Sequence, residues 1–347
     1  MMQPGPAGGV AARLAARAAW QPLELLFWVV AFASIFFLSN RYLILTEVAI
    51  LGLFALSLDL ILGYAGIISL GHAAFFGFGA YVAGLLAKHE IIGEPLTVLV
   101  VSGLAAMLLG FVTSFLVLRG SDLTRIMVTL GIALVLRELA NRFAGLTGGA
   151  DGLQGVVIKP LLGLFEFDIF GRTAYCYSLA VLFVLFVLAR RLINSPFGLS
   201  LRSIKENPLR AAAVGIPVNA RLVAIYTIAA AYAGVAGALL TQTTAFASLD
   251  VFSFDRSADL LLMLIIGGVG YLYGGLIGAI LFKLLQDYLA SLTPQYWQFW
   301  IGLLLVAIVL IGRDRISLLT SPVRALAARL DWRSGQASAP PAEEARQ

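Results

Sequence analysis

The chain has 347 residues, of which 60% are hydrophobic and only 12% charged, with a formal net charge of +5. Soluble domains carry about 25% charged residues, so this composition excludes a separate soluble enzyme domain and points to a polytopic membrane protein, with spans of about 20 residues each consuming most of the length. The positive balance reads as topogenic rather than nucleic-acid binding, and a lone Cys176 excludes a disulfide framework or a cysteine metal cluster.

Residues 1–22, rich in Ala, Gly and Pro with Arg13 and Arg17, read as a cytoplasmic tail. Ala31-Phe32-Ala33 resembles a signal-peptidase site, but the apolar run continues through it, so an uncleaved first span over Leu25–Leu38 is expected. Leu43–Leu62 is the next span, with Glu47 near one end and Asp59 near the other, followed by the turn signal Gly63-Tyr64-Ala65-Gly66. Ile67–Ala87 is a third apolar stretch. Leu96–Leu118 and Leu123–Phe143 follow, the latter ending in Arg137, Glu138 and Arg142.

The loop from Gly145 to Arg172 balances its charges, which suits the outer face. Tyr175–Ala189 is a further span and delivers the chain to a basic island. There Arg190, Arg191, Arg202, Lys205, Arg210 and Arg221 are opposed only by Glu206. Loops this basic stay in the cytoplasm. Within it, Ser203, or Asn207 before Pro208, is a candidate helix cap; Ala211–Ala213 are strong helix formers, and Gly215 and Pro217 stop the helix. Such a helix suits docking to another protein, and equally a solvated loop that merely orients the chain.

Beyond the island, Leu222–Leu240 is a span and Thr241–Asp255 a polar return. Ala258–Leu289 is broken by the glycine-rich turn at Gly267–Gly275, and Phe299–Ile311 leads to Arg313, Arg315, Arg324 and Arg329. Placing both basic regions inside requires an even number of spans before and after the island, about ten in all, with both termini cytoplasmic. The expected organisation is an all-α membrane domain over 23–316, containing the basic loop 190–221, between cytoplasmic tails 1–22 and 317–347. Two glycine-rich turns in similar places hint at an internal duplication.

Chemistry is sparse. GxSxG and HExxH are absent, His72 and His89 have no second ligand at metal spacing, and Lys88, Lys159, Lys205 and Lys283 do not follow a glycine, so there is no Walker A loop. His72, beside Phe75 and Phe76, is either a translocation-path group or a neutral ring bonded between helices. Glu138 is a second path candidate, although Arg142 at i,i+4 favours a structural pair. Asp59 is also expected to be paired. Gly270, Gly274 and Gly278, and likewise Ala230, Gly234 and Ala238, form small-residue faces for close helix packing. Trp297 and Trp300 read as an interfacial belt.

Four stretches carry a resemblance: GYAGIISLGHAAFFGFGAYVAGLL from Gly63, RGSDLTRIMVTLGIALVLRE from Arg119, LTGGADGLQGV from Leu146, and the run from Phe197 into LLLMLIIGGVGYLYGGLIGAI. Together they resemble the permease subunits of ABC importers for branched-chain amino acids, of the LivM type. The resemblance implies half of a translocation pore in a bacterial inner membrane, paired with a second, similar permease. Two cytoplasmic ATPases would hydrolyse ATP, none being bound by this chain, and an extracytoplasmic binding protein would deliver leucine, isoleucine or valine. It makes the island a coupling helix: Arg202, Ser203, Ile204, Lys205, Glu206, Asn207 and Pro208 would enter an ATPase cleft, with Ala211 to Gly215 completing the helix. Leu146–Gly155 would meet the binding protein. Asp122 and Arg125 depart from the more apolar family pattern at their positions.

The same architecture serves urea, short amides and aromatic acids. Outside this class stand an ion-coupled secondary transporter, with Asp59, Glu138 and Asp259 as its coupling candidates, and a membrane enzyme, against which the lack of a convergent His, Asp or Ser constellation argues.

Overall fold

The structure is a computed structural model, and it describes residues 22–168 and 170–311. The two tails, including Arg13, Arg17, Arg313, Arg315, Arg324 and Arg329, lie outside the described residues. The helices are α1 (Pro22–Phe37), α2 (Tyr42–Ala65), α3 (Ala73–Lys88), α4 (Pro95–Val117), α5 (Asp122–Arg142), the short α6 (Ala144–Thr147), α7 (Arg172–Ile193), α8 (Pro196–Glu206), α9 (Pro208–Ala213), α10 (Val218–Thr244), α11 (Phe254–Gly267), α12 (Leu272–Leu292) and α13 (Trp297–Ile311). Short 3-10 turns and two isolated β-bridges complete the described fold. Contacts divide the chain after Leu285. The first unit holds α1 to α11 and most of α12; in the second, the rings of Phe299 and Trp300 meet edge-on at 5.5 Å.

Among the described residues, 5 helices are by themselves long and apolar enough to cross a membrane: α2, α4, α7, α10 and α12. α1 and α3 are apolar but shorter. The chain is therefore a multi-pass helical protein, and the segments expected from hydropathy coincide with helices almost throughout. One does not. The expected span from Ile67 begins as irregular backbone, and helix starts only at Ala73. Gly66, in the left-handed region at φ 74°, ends α2. Two of the freed amides find partners: the Ile67 amide is bonded to the Ile61 carbonyl at 3.0 Å and the Ala73 amide to Ser257 Oγ of α11 at 3.1 Å. Such unwinding is tolerated at membrane depth only where protein replaces the lost bonds.

α10 is the centre of the first unit and packs against α2, α3 and α4. Its buried face is made of Ala229, Ala230, Ala233, Gly234, Ala236, Gly237 and Ala238. Small residues let backbones touch: a Cβ on Gly237 would collide with the Phe76 carbonyl of α3, and one on Gly110 of α4 with the Ala230 methyl. α1 lies antiparallel to α7. Glu24 pairs with Arg190 at one end, and Ser34 Oγ meets the Tyr175 hydroxyl at 2.7 Å towards the other. Between them Trp28 is held by Phe183 at 4.8 Å and Phe186 at 5.1 Å, with its indole N–H donating to the Tyr273 hydroxyl at 3.3 Å.

The pairing expected between Glu138 and Arg142 is not formed. Glu138 and Arg142 are both exposed on α5, and among the described residues no ion pair joins them. Exposed i,i+4 pairs are worth only a few tenths of a kcal/mol, too little to hold two long side chains. Asp122 and Arg125, the unusual residues of this stretch, pair with each other at 2.9 Å in the first turn of α5.

The α3–α10 contact makes a stability prediction. Gly237→Val should cost about 1–3 kcal/mol, the usual penalty of overpacking. Gly131→Ala, with nothing within 4 Å of the added methyl, should be neutral or stabilise by up to about 1 kcal/mol. Thermal unfolding in detergent, followed by size-exclusion fluorescence, distinguishes the two.

Candidate functional site

The basic island folds as two helices, not one. Pro196 sits in the first turn of α8, where its missing N–H costs nothing. Gly198, Leu201 and Ile204 form the buried face, recurring every third residue, against α2, α7 and α10. α8 stops at Asn207 because Pro208 cannot continue it. Asn207 is extended, at φ −158° and ψ 101°, and caps α9, its Oδ1 accepting the Arg210 amide at 2.9 Å. Of the two cap candidates, Asn207 is the one used; Ser203 lies inside α8 and bonds back to the Leu199 carbonyl. α9 ends before Gly215, whose φ of 92° is the conformation that calls for glycine.

Ser203, Glu206, Asn207, Pro208 and Arg210 are exposed. Leu209 and Val214 are 83% and 77% exposed, and Ala211 is buried. Lys205 is exposed as well and Arg202 half-buried, but the charged ends of these two cations engage α2. Lys205 donates its ammonium to the Gly63 carbonyl of α2 at 2.7 Å, and the Arg202 guanidinium lies 5.3 Å from the centre of the Tyr64 ring. Arg221 lies in the same manner over Phe197, at 5.1 Å.

Directly beneath is a junction that the sequence does not reveal. Asp59, fully buried one turn before Gly63, accepts the Gly270 amide at 2.7 Å through Oδ1, while its Oδ2 has no hydrogen-bond partner. Gly63 must be glycine, since a Cβ there would strike the Asp59 carboxylate and stand 2.7 Å from the Gly270 nitrogen. Gly270 itself lies before α12, in a turn at φ 82°. Gly274 and Gly278 are on α12, where an added Cβ on either would meet backbone of α11 or of the turn after it, at Gly267, Gly268 and Met263.

The path candidates separate. His72 is fully buried, its Nε2 2.9 Å from Ser57 Oγ and its ring stacked on Phe54 at 5.9 Å. Phe75 meets it edge-on at 5.6 Å, and Phe76 packs on Phe54 at 4.4 Å. Nδ1 has no partner. Glu138 is not brought to this cluster; it stands exposed on α5. Asp259 is half-buried on α11. Among the described residues, no group of three His, Cys, Asp or Glu side chains could hold a metal ion.

At the opposite end of the bundle, the loop after α5 folds back over the helix ends. Leu153 pairs with Ala247, their backbones bonded at 2.7 Å, and packs by Gly84 and Thr241. Lys159 lies 3.7 Å from Glu90, and Glu94 accepts the Leu162 amide at 3.1 Å.

Residues 40–309 match the family model described as branched-chain amino acid transport system / permease component. That is most of the chain. The chain belongs to this permease family. It is 28% identical over 277 residues to the high-affinity branched-chain amino acid transport system permease protein LivM of Escherichia coli, covering 74% of this chain and 64% of that protein's length. The LivM of Salmonella typhimurium is 28% identical over 305 residues, 81% of this chain and 69% of the relative. A fructose import permease protein of Rhizobium meliloti, FrcC, is 26% identical over 298 residues, 83% of this chain and 81% of the relative. No solved structure matches this permease.

In this permease the Ser57–His72 bond is buried in the bundle, so its loss is measurable. Ser57→Ala should destabilise by roughly 1 kcal/mol by leaving the ring without a partner. His72→Phe in that background should recover part of the loss, because no polar atom is then stranded. A double-mutant cycle on thermal unfolding in detergent gives the coupling, and strict additivity would refute the bond.

Proposed function

We propose that this chain is one membrane-spanning half of an ATP-driven importer for the branched-chain amino acids leucine, isoleucine and valine, in the inner membrane of a bacterium. A second, similar permease completes the pore, two cytoplasmic ATPases bind and hydrolyse the ATP, and an extracytoplasmic protein delivers the solute. The observation that carries the reading is α9 and its C-cap, which push Leu209 and Val214 out beside Arg210 at the basic end of a family permease. Large apolar side chains on a basic, non-membrane helix are what an ATPase cleft would bury. Ser203, Glu206, Asn207 and Pro208 rim that surface; Ile204 and Ala211 support it from beneath, and Gly215 ends it.

Orientation follows from charge. Arg190, Arg191, Arg202, Lys205, Arg210 and Arg221 gather where α7 ends and α10 begins, so that end is cytoplasmic. Glu24, paired with Arg190, brings the start of α1 to the same side. Counting α1, α3, α5, α11 and α13 with the 5 long apolar helices supports about ten crossings and both termini inside. The loop around Leu146–Gly155 then faces outward, towards a binding protein.

The likeness to a fructose import permease indicates that this architecture does not by itself fix the solute. Urea, short amides and aromatic acids are the second reading for the cargo, with the same coupling.

ATP-driven leucine uptake in vesicles, with the partners that co-purify, tests the assignment. Leu209→Asp changes an exposed side chain, so membrane levels should stay at wild type while ATPase capture and uptake fall at least roughly tenfold, as for a lost interface hot spot. Wild-type uptake in that variant would remove α9 from the coupling surface. An intact complex that ignores leucine would redirect the search to the other solutes.

A further inference from the structure

Lys205 and Arg202 sit in the middle of the proposed coupling surface, Lys205 exposed and Arg202 half-buried, yet their charged ends are engaged by the chain itself. Both reach the last turn of α2. Lys205 Nζ bonds the Gly63 carbonyl at 2.7 Å, and its stem crosses Gly66, where a Cβ would stand 3.1 Å from Lys205 Cγ. Arg202 covers the Tyr64 ring at 5.3 Å. The same turn of α2 holds the beginning of α12 from its other side. Asp59 Oδ1 takes the Gly270 amide at 2.7 Å.

We propose that Asp59, Gly63 and Tyr64 form a clamp through which α8, by Lys205 and Arg202, sets the position of the start of α12. Resting on the coupling reading above, the clamp is the internal arm that passes motion of the helix pair to the α11–α12 hairpin. Three features make it suited to this. α8 is seated on α2, α7 and α10 by Gly198, Leu201 and Ile204, so it moves with a defined footing. The route to α12 runs through Gly63 and Asp59, and Arg202 on the Tyr64 ring braces the same turn of α2. On the receiving side, Gly268 and Gly270 have φ of 102° and 82°, a turn of low steric resistance between helices whose backbones touch at Gly267 and Gly274. Rigid elements joined at such turns transmit displacement as hinge or shear motion.

Asp59 also solves a local problem. A part-buried backbone amide outside a helix needs an acceptor from elsewhere. A carboxylate from α2 supplies the acceptor to the turn entering α12, from a position 211 residues away in sequence. Lys205 and Asp59 are therefore positioning residues, and neither is required to touch ATPase or solute.

The test uses Lys205→Met, which keeps the stem over Gly66 and removes the donor, with Lys205→Arg as the conservative variant. In the assembled complex, Lys205→Met should retain its ATPases in wild-type amounts and still hydrolyse ATP. Solute moved per ATP should fall tenfold or more, and Lys205→Arg should restore it. A second readout needs no partners: hydrogen exchange of the chain in nanodiscs. The peptide covering residues 267–272 should exchange at least tenfold faster in Lys205→Met, although Lys205 does not bond to it, and Asp59→Ala should reproduce the effect. Unchanged exchange in that peptide overturns the clamp. So does faster exchange with solute per ATP unchanged, since the contact would then only hold the fold. Loss of the ATPases in Lys205→Met overturns it by making Lys205 a partner contact. If the wild-type chain captures no ATPases, the coupling reading falls by itself, and the exchange measurement still decides whether the clamp exists.

Discussion

An unwound backbone inside a helical membrane bundle survives only if protein replaces the hydrogen bonds the helix has lost. This chain unwinds between α2 and α3 and again between α11 and α12, and the remainder of the first unit is arranged to meet that demand. The two breaks are coupled through their flanks. Ser257 of α11 accepts the amide that opens α3, and Asp59 of α2 accepts the amide that enters α12. Each break is thus completed by a residue from the other pair of helices. Removing Ser257 strands a buried amide, a cost of about 1–3 kcal/mol, and removing Asp59 strands a part-buried one.

The second constraint is proximity. α10 places alanines and glycines against α3 and α4 so that main chains touch main chains. In lipid there is little hydrophobic drive between helices, and close van der Waals contact has to supply the adhesion. The same close contact recurs between α11 and α12 at Gly267, Gly274 and Gly278. Larger apolar residues, such as Leu104, Leu108 and Val112 of α4, point away and are exposed.

Against that background, the basic helix pair combines opposite properties. α8 is anchored by its buried face and by two cations engaged on α2, while α9 and its C-cap stand free of such anchoring and offer Leu209 and Val214 outward. The break at Asn207 separates the two roles. A single continuous helix would have kept the chain on the axis of α8. Capping at Asn207 and the locked φ of Pro208 redirect the chain instead.

Most of the helix order was legible in the sequence, because hydropathy over about 20 residues, basic islands and glycine turns are local signals. The stop at Gly215, the cap at Asn207 and the divided hairpin at Gly267–Gly275 are of this kind. The sequence also carried the family, through glycine spacing that close packing demands. What it could not supply was every contact made across the bundle. Ile67–His72 is as apolar as its neighbours, yet it is not helical, because Gly66 turns left-handed and α11 provides the missing acceptor. Glu138 and Arg142 have ideal spacing but face outward without pairing. Asp59 was expected to be paired, but its partner is a backbone amide, and a backbone amide leaves no mark on composition or charge pattern. Lys205 reads as one more cation of a solvated face; only tertiary structure turns it towards the Gly63 carbonyl, because the end of α2 happens to lie beneath it. Local propensity and hydropathy determined where helices run; which buried polar group meets which was decided by packing, since hydrogen bonds form between atoms brought together in space and not along the chain.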